Sequence, residues 1–347
     1  MLGIGSAADL TVATLASLGY AVVKDDIRPL QRRLLSRAPA GFSDTSAAPV
    51  WIIHANPPEA EMALFARSPQ DWADLYRIGY WTWESAVAPA AWLDTARWFH
   101  EIWVPSMFVR DAFAAAFAAS PRPEEAAKLR VMPHVVAPSV SPHRSKQSIT
   151  ALTLLDPRSD PERKNPDGAV RAWLKAFPLP GDAQLIVKIL PCGDNTLYNR
   201  LRRLSVDRPD IVYWIEALSR DAMDALIADC DILISLHRAE GFGLPLAEAM
   251  AVGVAVLATG WSGNMTFMTD GNSVPVPYTL VPANRRHNGP MAQWADPDVD
   301  AAAAALRKLV LDRVWRARLT KQALLDIVAL GEPWRAHLAR PTTAGSK

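Results

Sequence analysis

A chain of 347 residues, half of them hydrophobic, is long enough for two domains of ordinary size with a core in each. A formal net charge of +1 excludes the broad basic surface of a nucleic-acid binder, so any anion site has to be built locally. The two cysteines, Cys192 and Cys230, are too few for a disulfide framework or a zinc site, and no apolar run reaches about 18 residues, so a reducing compartment and no membrane span are expected.

The opening MLGIGSAADL lacks the basic and apolar regions of a signal peptide, and the expected location is cytoplasmic. Apolar runs of strand length then alternate with helical patterns, which predicts an α/β protein with parallel sheets built from βαβ units. In the first half the pattern predicts helices over 5–18 and 106–119 and strands near 19–24, 50–54, 76–82, 101–104 and 130–134. The segment VVAPSVSPHRSKQSI (135–149), rich in Pro, Ser and basic residues, reads as a linker. A second alternation follows, with strands near 151–155, 184–190, 211–215, 232–236, 254–258 and 273–276 and helices near 166–177, 195–204, 220–229 and 244–252. Two more helices, about 299–311 and 313–330, lead to Trp334 and a polar tail. The expected domains are 1–138, a linker over 139–149, a second domain over 150–312, a terminal helix over 313–336 and a tail over 337–347.

The densest chemistry lies in ILISLHRAEGFGLPLAE, Ile232 to Glu248. An apolar strand runs into a glycine turn that opens a helix, with Glu240 and Glu248 on either side. Gly241 and Gly243 tolerate positive φ and close approach of a ligand, and Pro245 suits a first helical turn. The free amides there, with the positive end of the helix dipole, make an anion site. A phosphate beside two carboxylates that can read sugar hydroxyls is what a nucleotide-sugar enzyme requires.

EGFGLPLAE resembles the E-x7-E signature of the retaining family 4 glycosyltransferases, whose GT-B fold sets two Rossmann-like doubly wound domains facing across a cleft. The likeness continues through AMAVGVAVLATGWSGN (249–264) and GNSVPVPY (271–278). DPERKNPDGAVRAWLKAF (160–177) and RIGYWTWE (77–84) are similar to a bacterial subgroup linked with surface polysaccharides. The resemblance implies that the last helix crosses back to the first domain near Pro333-Trp334. It also implies a glycine loop after a first strand. Gly3 and Gly5 follow Met1 and Leu2 directly, so the first domain is expected to lack that strand, through a chain start set too late or a sheet one strand short.

The same resemblance distributes roles. Glu240 faces the transferred sugar as the catalytic carboxylate, and Glu248 accepts hydrogen bonds from the ribose. Arg158 and Lys164 contact the diphosphate, with Arg163 next to Lys164 as the other arginine that fits. The amides of Phe242, Gly243 and Leu244 meet phosphate or sugar. Ile215 to Leu218 stand where the base is cradled, and Asn264, in Ser262-Gly263-Asn264, stands near the donor sugar. A solvated basic loop, an acid in a first helical turn and an apolar strand end are the plainer alternatives. Lys188 reads equally as a buried cation near the diphosphate and as a surface lysine. On the acceptor side, His54, Trp83 and Glu84 follow strands at carboxyl ends, where open α/β sheets place ligands, although packing alone explains them as well. Gly3 and Gly5 complete that side, with Ser6 and Asp9 departing from the family pattern.

Asp229-Cys230-Asp231 has D-x-D spacing but falls where a helix ends and a strand begins, and reads as a cap; no metal and no cofactor are expected. The basic and leucine-rich RPLQRRLLSR (28–37) is compatible with an anionic membrane surface. The reading is a retaining, metal-independent transferase that moves a hexose from a nucleotide diphosphate sugar to a saccharide or lipid-linked acceptor, with peripheral contact at the cytoplasmic membrane face. An epimerase of the same fold and a non-catalytic partner subunit are the alternatives.

Overall fold

The computed structural model describes residues 3–27, 49–139, 148–181, 183–283 and 292–339. These fall into two compact units, one holding the described residues up to Val135 and from Gly331 on, the other those from Val136 to Leu330. The RPLQRRLLSR segment and the polar tail lie outside the described residues.

The first unit opens with helix α1 (Gly3–Ser17). Four parallel strands follow: β1 (Val50–His54), β2 (Tyr76–Tyr80), β3 (Glu101–Val104) and β4 (Leu129–Val131), in spatial order β1-β2-β3-β4. Between them lie α2 (Pro57–Phe65) and α3 (Met107–Ala118). Strand residues alternate between faces. Ile53, Ile102 and Val104 meet Leu64 of α2 and Phe113 and Phe117 of α3, while Ile78, Tyr80 and Trp103 meet Leu15 of α1 and Trp334. Trp334 belongs to helix α11 (Glu332–Leu338), whose indole N–H donates to the Pro133 carbonyl at 2.7 Å. The last helix among the described residues therefore completes the core of the first unit.

Two expectations for this half are corrected. No strand forms near 19–24: Tyr20, Val22 and Val23 are exposed, and the run has no sheet partner among the described residues. Strand propensity becomes a strand only where a neighbour supplies backbone partners. The strand expected near 130–134 stops at Val131, two residues before Pro133, which has no N–H to donate to a ladder.

The second unit is a six-stranded parallel sheet in the order β10-β9-β8-β5-β6-β7. Its strands are β5 (Thr150–Leu155), β6 (Gln184–Ile189), β7 (Ile211–Ile215), β8 (Ile232–Ser235), β9 (Ala255–Thr259) and β10 (Val274–Val276). The helices are α4 (Pro161–Lys164), α5 (Pro166–Ala176), α6 (Thr196–Leu204), α7 (Arg220–Ala228), α8 (Leu244–Ala251), α9 (Val299–Leu311) and α10 (Arg313–Asp326). Helices α5 and α9 pack together over a core of Trp173, Val187, Ile234, Leu257 and Leu306, and α8 and α10 pack against β9. Strand order reverses between β5 and β8, so their carboxyl ends flank the switch point where open α/β sheets bind ligands.

An antiparallel pair, β11 (Tyr278–Pro282) with β12 (Gln293–Pro297), was not expected. Its prolines at 277, 282 and 297 argue against strand in sequence, yet a two-stranded ribbon has edges that need no N–H at those positions. No helix among the described residues is long and apolar enough to cross a membrane.

Candidate functional site

Two loops meet at the switch point of the second unit. After β5 the chain turns through Asp160 (φ +34°), whose carboxylate accepts the amides of Glu162 and Arg163 and caps the single turn α4. Asn165 (φ +48°) ends α4 and caps α5, and its side-chain amide donates to the Leu236 carbonyl at 2.8 Å. These turns aim Arg163 and Lys164 at the loop after β8. Lys164 Nζ donates to Glu240 Oε1, and Arg163 Nη1 lies 3.4 Å from the same oxygen while donating to the Ala239 carbonyl at 2.6 Å. Burial pushes the Glu240 carboxyl up, but Lys164 and then Arg163 outweigh it and bring it to about 2.

The glycine turn is packed backbone to backbone. A Cβ at Gly263 would sit 2.0 Å from the Gly241 carbonyl oxygen, so only glycine fits there. Gly263 donates its amide to the Glu240 carbonyl at 2.8 Å, and Ser262 Oγ accepts the Glu240 amide at 2.8 Å. Ser262 holds this position at φ +82°, a backbone conformation that costs a non-glycine residue about 1–3 kcal/mol. Gly243 (φ +86°) is the N-cap of α8 and offers its first turn no capping side chain.

Beneath the turn lies His237, fully buried. Asn264 donates to the Thr259 carbonyl at 2.9 Å, which leaves its Oδ1 to accept from His237 Nε2 at 3.0 Å. His237 Nδ1 then accepts from Ser235 Oγ at 3.0 Å, the arrangement of a neutral ring, and burial lowers its pKa. Thr259 Oγ1 donates to the His237 carbonyl at 2.6 Å. Asn264 thus acts as a brace with its polar atoms taken by protein groups, and His237 is a site residue that no sequence signal marked beyond its place between β8 and Glu240.

Glu248, one turn into α8, is buried and accepts from Arg220 Nη2 at 2.6 Å. Burial raises its pKa and Arg220 opposes the rise.

The remaining expected residues take varied positions. Arg158 grips Asp156 through two bonds, at 2.9 and 2.8 Å, which hold the Asp156 carboxyl below the usual range. The arginine on Glu240 is therefore Arg163. Lys188 is buried with Nζ on the carbonyls of Glu216 and Ile189, anchoring the turn between exposed Ile215, at the end of β7, and half-buried Leu218. Phe242 is buried against the ring of Phe267, centroids 5.0 Å apart. Asp231, of the D-x-D triplet, accepts the Thr150 amide at 2.9 Å, spanning the start of two strands.

In the first unit, His54 ends β1 and stacks on Tyr80 at 4.4 Å, and Tyr80 stacks on His134 at 5.3 Å. Burial lowers both histidines to about 3, and His54 Nε2 makes no hydrogen bond among the described residues. Trp83 packs edge-on to Trp92 and donates to the Val87 carbonyl at 2.7 Å, while Glu84 is exposed. Gly3 and Gly5 lie in the opening of α1 instead of a loop, since the alanine-rich stretch after them continues the helix and glycines near a helix start give up few internal bonds.

Comparison with known proteins places this geometry. The second-unit stretch 161–325 matches the family model described as glycosyl transferases group 1. Among solved structures, a mutant of TarM from S. aureus in complex with fondaparinux, alpha-GlcNAc-glycerol and UDP is 11% identical with a TM-score of 0.61, covering 84% of this chain and 55% of that one. Anabaena HepE in complex with UDP and glucose is 15% identical with a TM-score of 0.59, covering 84% and 78%. The pneumococcal O-GlcNAc transferase GtfA in complex with UDP and GlcNAc is 15% identical with a TM-score of 0.57, covering 83% and 56%. This chain thus spans about half the length of the TarM and GtfA structures. No curated protein matches the sequence. These likenesses show the GT-B fold, and residues 161–325 are similar to the glycosyl transferases group 1 family.

Proposed function

We propose that this protein is a retaining glycosyltransferase that moves a hexose from a nucleotide diphosphate sugar to a saccharide or lipid-linked acceptor, in polysaccharide or glycolipid synthesis at the cytoplasmic membrane face. The observation that carries the reading is the convergence of Arg163 and Lys164 on Glu240 at the sheet's switch point. A diphosphate gains charge as its bond to the sugar breaks, and fixed cations and amides that meet this charge lower the barrier by several kcal/mol. Lys164, about one-fifth exposed, is the cation able to share itself between Glu240 and a phosphate. Countercharge is assigned to these side chains, with the amides of Phe242, Gly243 and Leu244 beside them.

Glu240, spent on two cations, is a poor nucleophile, which supports same-face displacement. The bond from the anomeric carbon to the diphosphate oxygen breaks, the bond to the acceptor oxygen forms on the same face, and the acceptor proton passes to the departing phosphate. Glu240 holds sugar hydroxyls and offsets positive charge on the ring. Glu248 reads the ribose, Ile215 and Leu218 border the base, and His54, Trp83 and Glu84 serve the acceptor.

The test is a thermal-shift screen against UDP, GDP, ADP and dTDP sugars, followed by product analysis with and without acceptor. Transfer that needs an acceptor, keeps the anomeric configuration and survives a chelator is expected. Donor conversion without acceptor would overturn the reading in favour of an epimerase.

A further inference from the structure

Arg220 is the first residue of α7, after the cap in which Ser219 Oγ accepts the Ala222 amide at 3.2 Å. Its guanidinium is locked from one side by Asp224, with Nε and Nη2 at 3.0 and 2.9 Å from the two carboxylate oxygens. The free side of Nη2 reaches across to α8 and donates to Glu248 Oε1 at 2.6 Å. Helices α7 and α8 pack together, so the bridge spans two elements already in contact. A guanidinium held on two sides by charge-assisted bonds is an oriented one.

We propose that Arg220 is a positioning residue for nucleotide recognition, holding the Glu248 carboxylate in the orientation and charge state that accept both hydroxyls of a ribose. The proposal rests on the reading of Glu248 as the ribose contact. An ionised carboxylate accepts at both oxygens, whereas a protonated one spends an oxygen as a donor and loses the match to a vicinal diol. The charged groups acting on Glu248 are Arg220 and Asp224, both from α7. Burial and Asp224 favour the neutral acid, and Arg220 is the opposing charge. Take Arg220 away and a buried acid faces only another acid. Its proton is then lost at higher pH, and affinity for a ribonucleotide rises with pH through that transition.

The experiment is calorimetric titration of the full chain with UDP, or with GDP or ADP if the screen selects that base, between about pH 5.5 and 9. Arg220→Gln is expected to weaken binding about tenfold near neutral pH and to regain much of the loss at the alkaline end. Arg220→Lys keeps most of the affinity. In a Glu248→Gln background the Arg220→Gln change costs less than about twofold, because the group it acts through has gone. The 2′-deoxy form of the same nucleotide is expected to respond less to Arg220→Gln than the ribonucleotide. Wild-type binding with an unaffected or pH-independent Arg220→Gln variant would overturn the role of Arg220 alone. A wild type that binds none of these nucleotides would overturn the functional reading beneath it.

Discussion

Lys164 Nζ rests on Glu240 Oε1, joining the loop after β5 to the glycine turn after β8 through side chains 76 positions apart. Glu240→Gln keeps the shape and removes the charge, so it is expected to cut turnover by more than about a hundredfold while changing the donor KM less than about threefold. A raised KM with unchanged turnover would show that Glu240 serves ground-state binding only. Lys164→Met should lower turnover to a similar degree if Lys164 meets the leaving phosphate as proposed, since Arg163 still holds Glu240.

Gly263→Ala tests the backbone packing under the turn. The added methyl carbon meets the Gly241 carbonyl carbon at 2.3 Å and the Phe242 amide nitrogen at 2.6 Å, and backbone atoms cannot swing aside as a side chain can. One of the two loops has to move, at a cost of about 1–3 kcal/mol. Lower stability in denaturant together with lost nucleotide affinity is expected. A variant of wild-type stability and affinity would show that the two loops are not held in contact.

Much of the second unit could be read in advance because its strands are continuous apolar runs buried on both faces, such as Ile232 to Ser235, and because the turn and both glutamates lie in one short stretch. The choice of arginine could not. Arg158 and Arg163 both follow β5, and which one reaches Glu240 depends on Asp160 and Asn165 adopting positive φ and on Asp156 capturing Arg158. Those are properties of a folded loop. The Arg220–Glu248 and His237–Asn264 contacts join residues 28 and 27 positions apart, and no local pattern announces either. Prolines hid β11 and β12, and they hid α2 as well, which begins Pro57-Pro58 at positions where a missing N–H is harmless. In the first unit the error ran the other way. Tyr20 to Val23 has strand composition but no partner strand among the described residues.

Acid should loosen the first unit through Glu101. This carboxyl accepts from Trp103 Nε1 at 2.6 Å, His337 Nε2 at 2.9 Å and the Tyr76 hydroxyl at 3.1 Å. Burial pushes its pKa up, but the bonds from His337 and Trp103 outweigh it and bring it from 4.5 to about 2. A carboxyl with a lowered folded pKa contributes stability that is complete above 4.5 and is lost as pH falls towards 2. Denaturant midpoints followed across that window should fall less steeply in Glu101→Gln than in the wild type. Parallel slopes would remove Glu101 from the account of acid sensitivity.

Trp334 ties α11 to the sheet of the first unit. The side chain is 1% exposed, stands edge-on to Trp103 with centroids 5.1 Å apart, and donates to the Pro133 carbonyl. Trp334→Ala removes the largest apolar group of α11 and leaves a cavity over β3, a loss of about 3–5 kcal/mol. The Pro133 carbonyl also loses its donor, so relaxation of the helix onto the sheet cannot recover the whole amount. The loss should be local to the sheet that Trp334 covers. Hydrogen exchange is expected to quicken at the amides of β2, β3 and β4 while those of β5 and β6 keep their protection. Trp334→Phe, which keeps most of the buried area and forfeits the hydrogen bond, should fall between the two. Uniform acceleration through both sheets in Trp334→Ala would mean that the crossing helix stabilises the molecule as one cooperative body rather than sealing the core of the first unit.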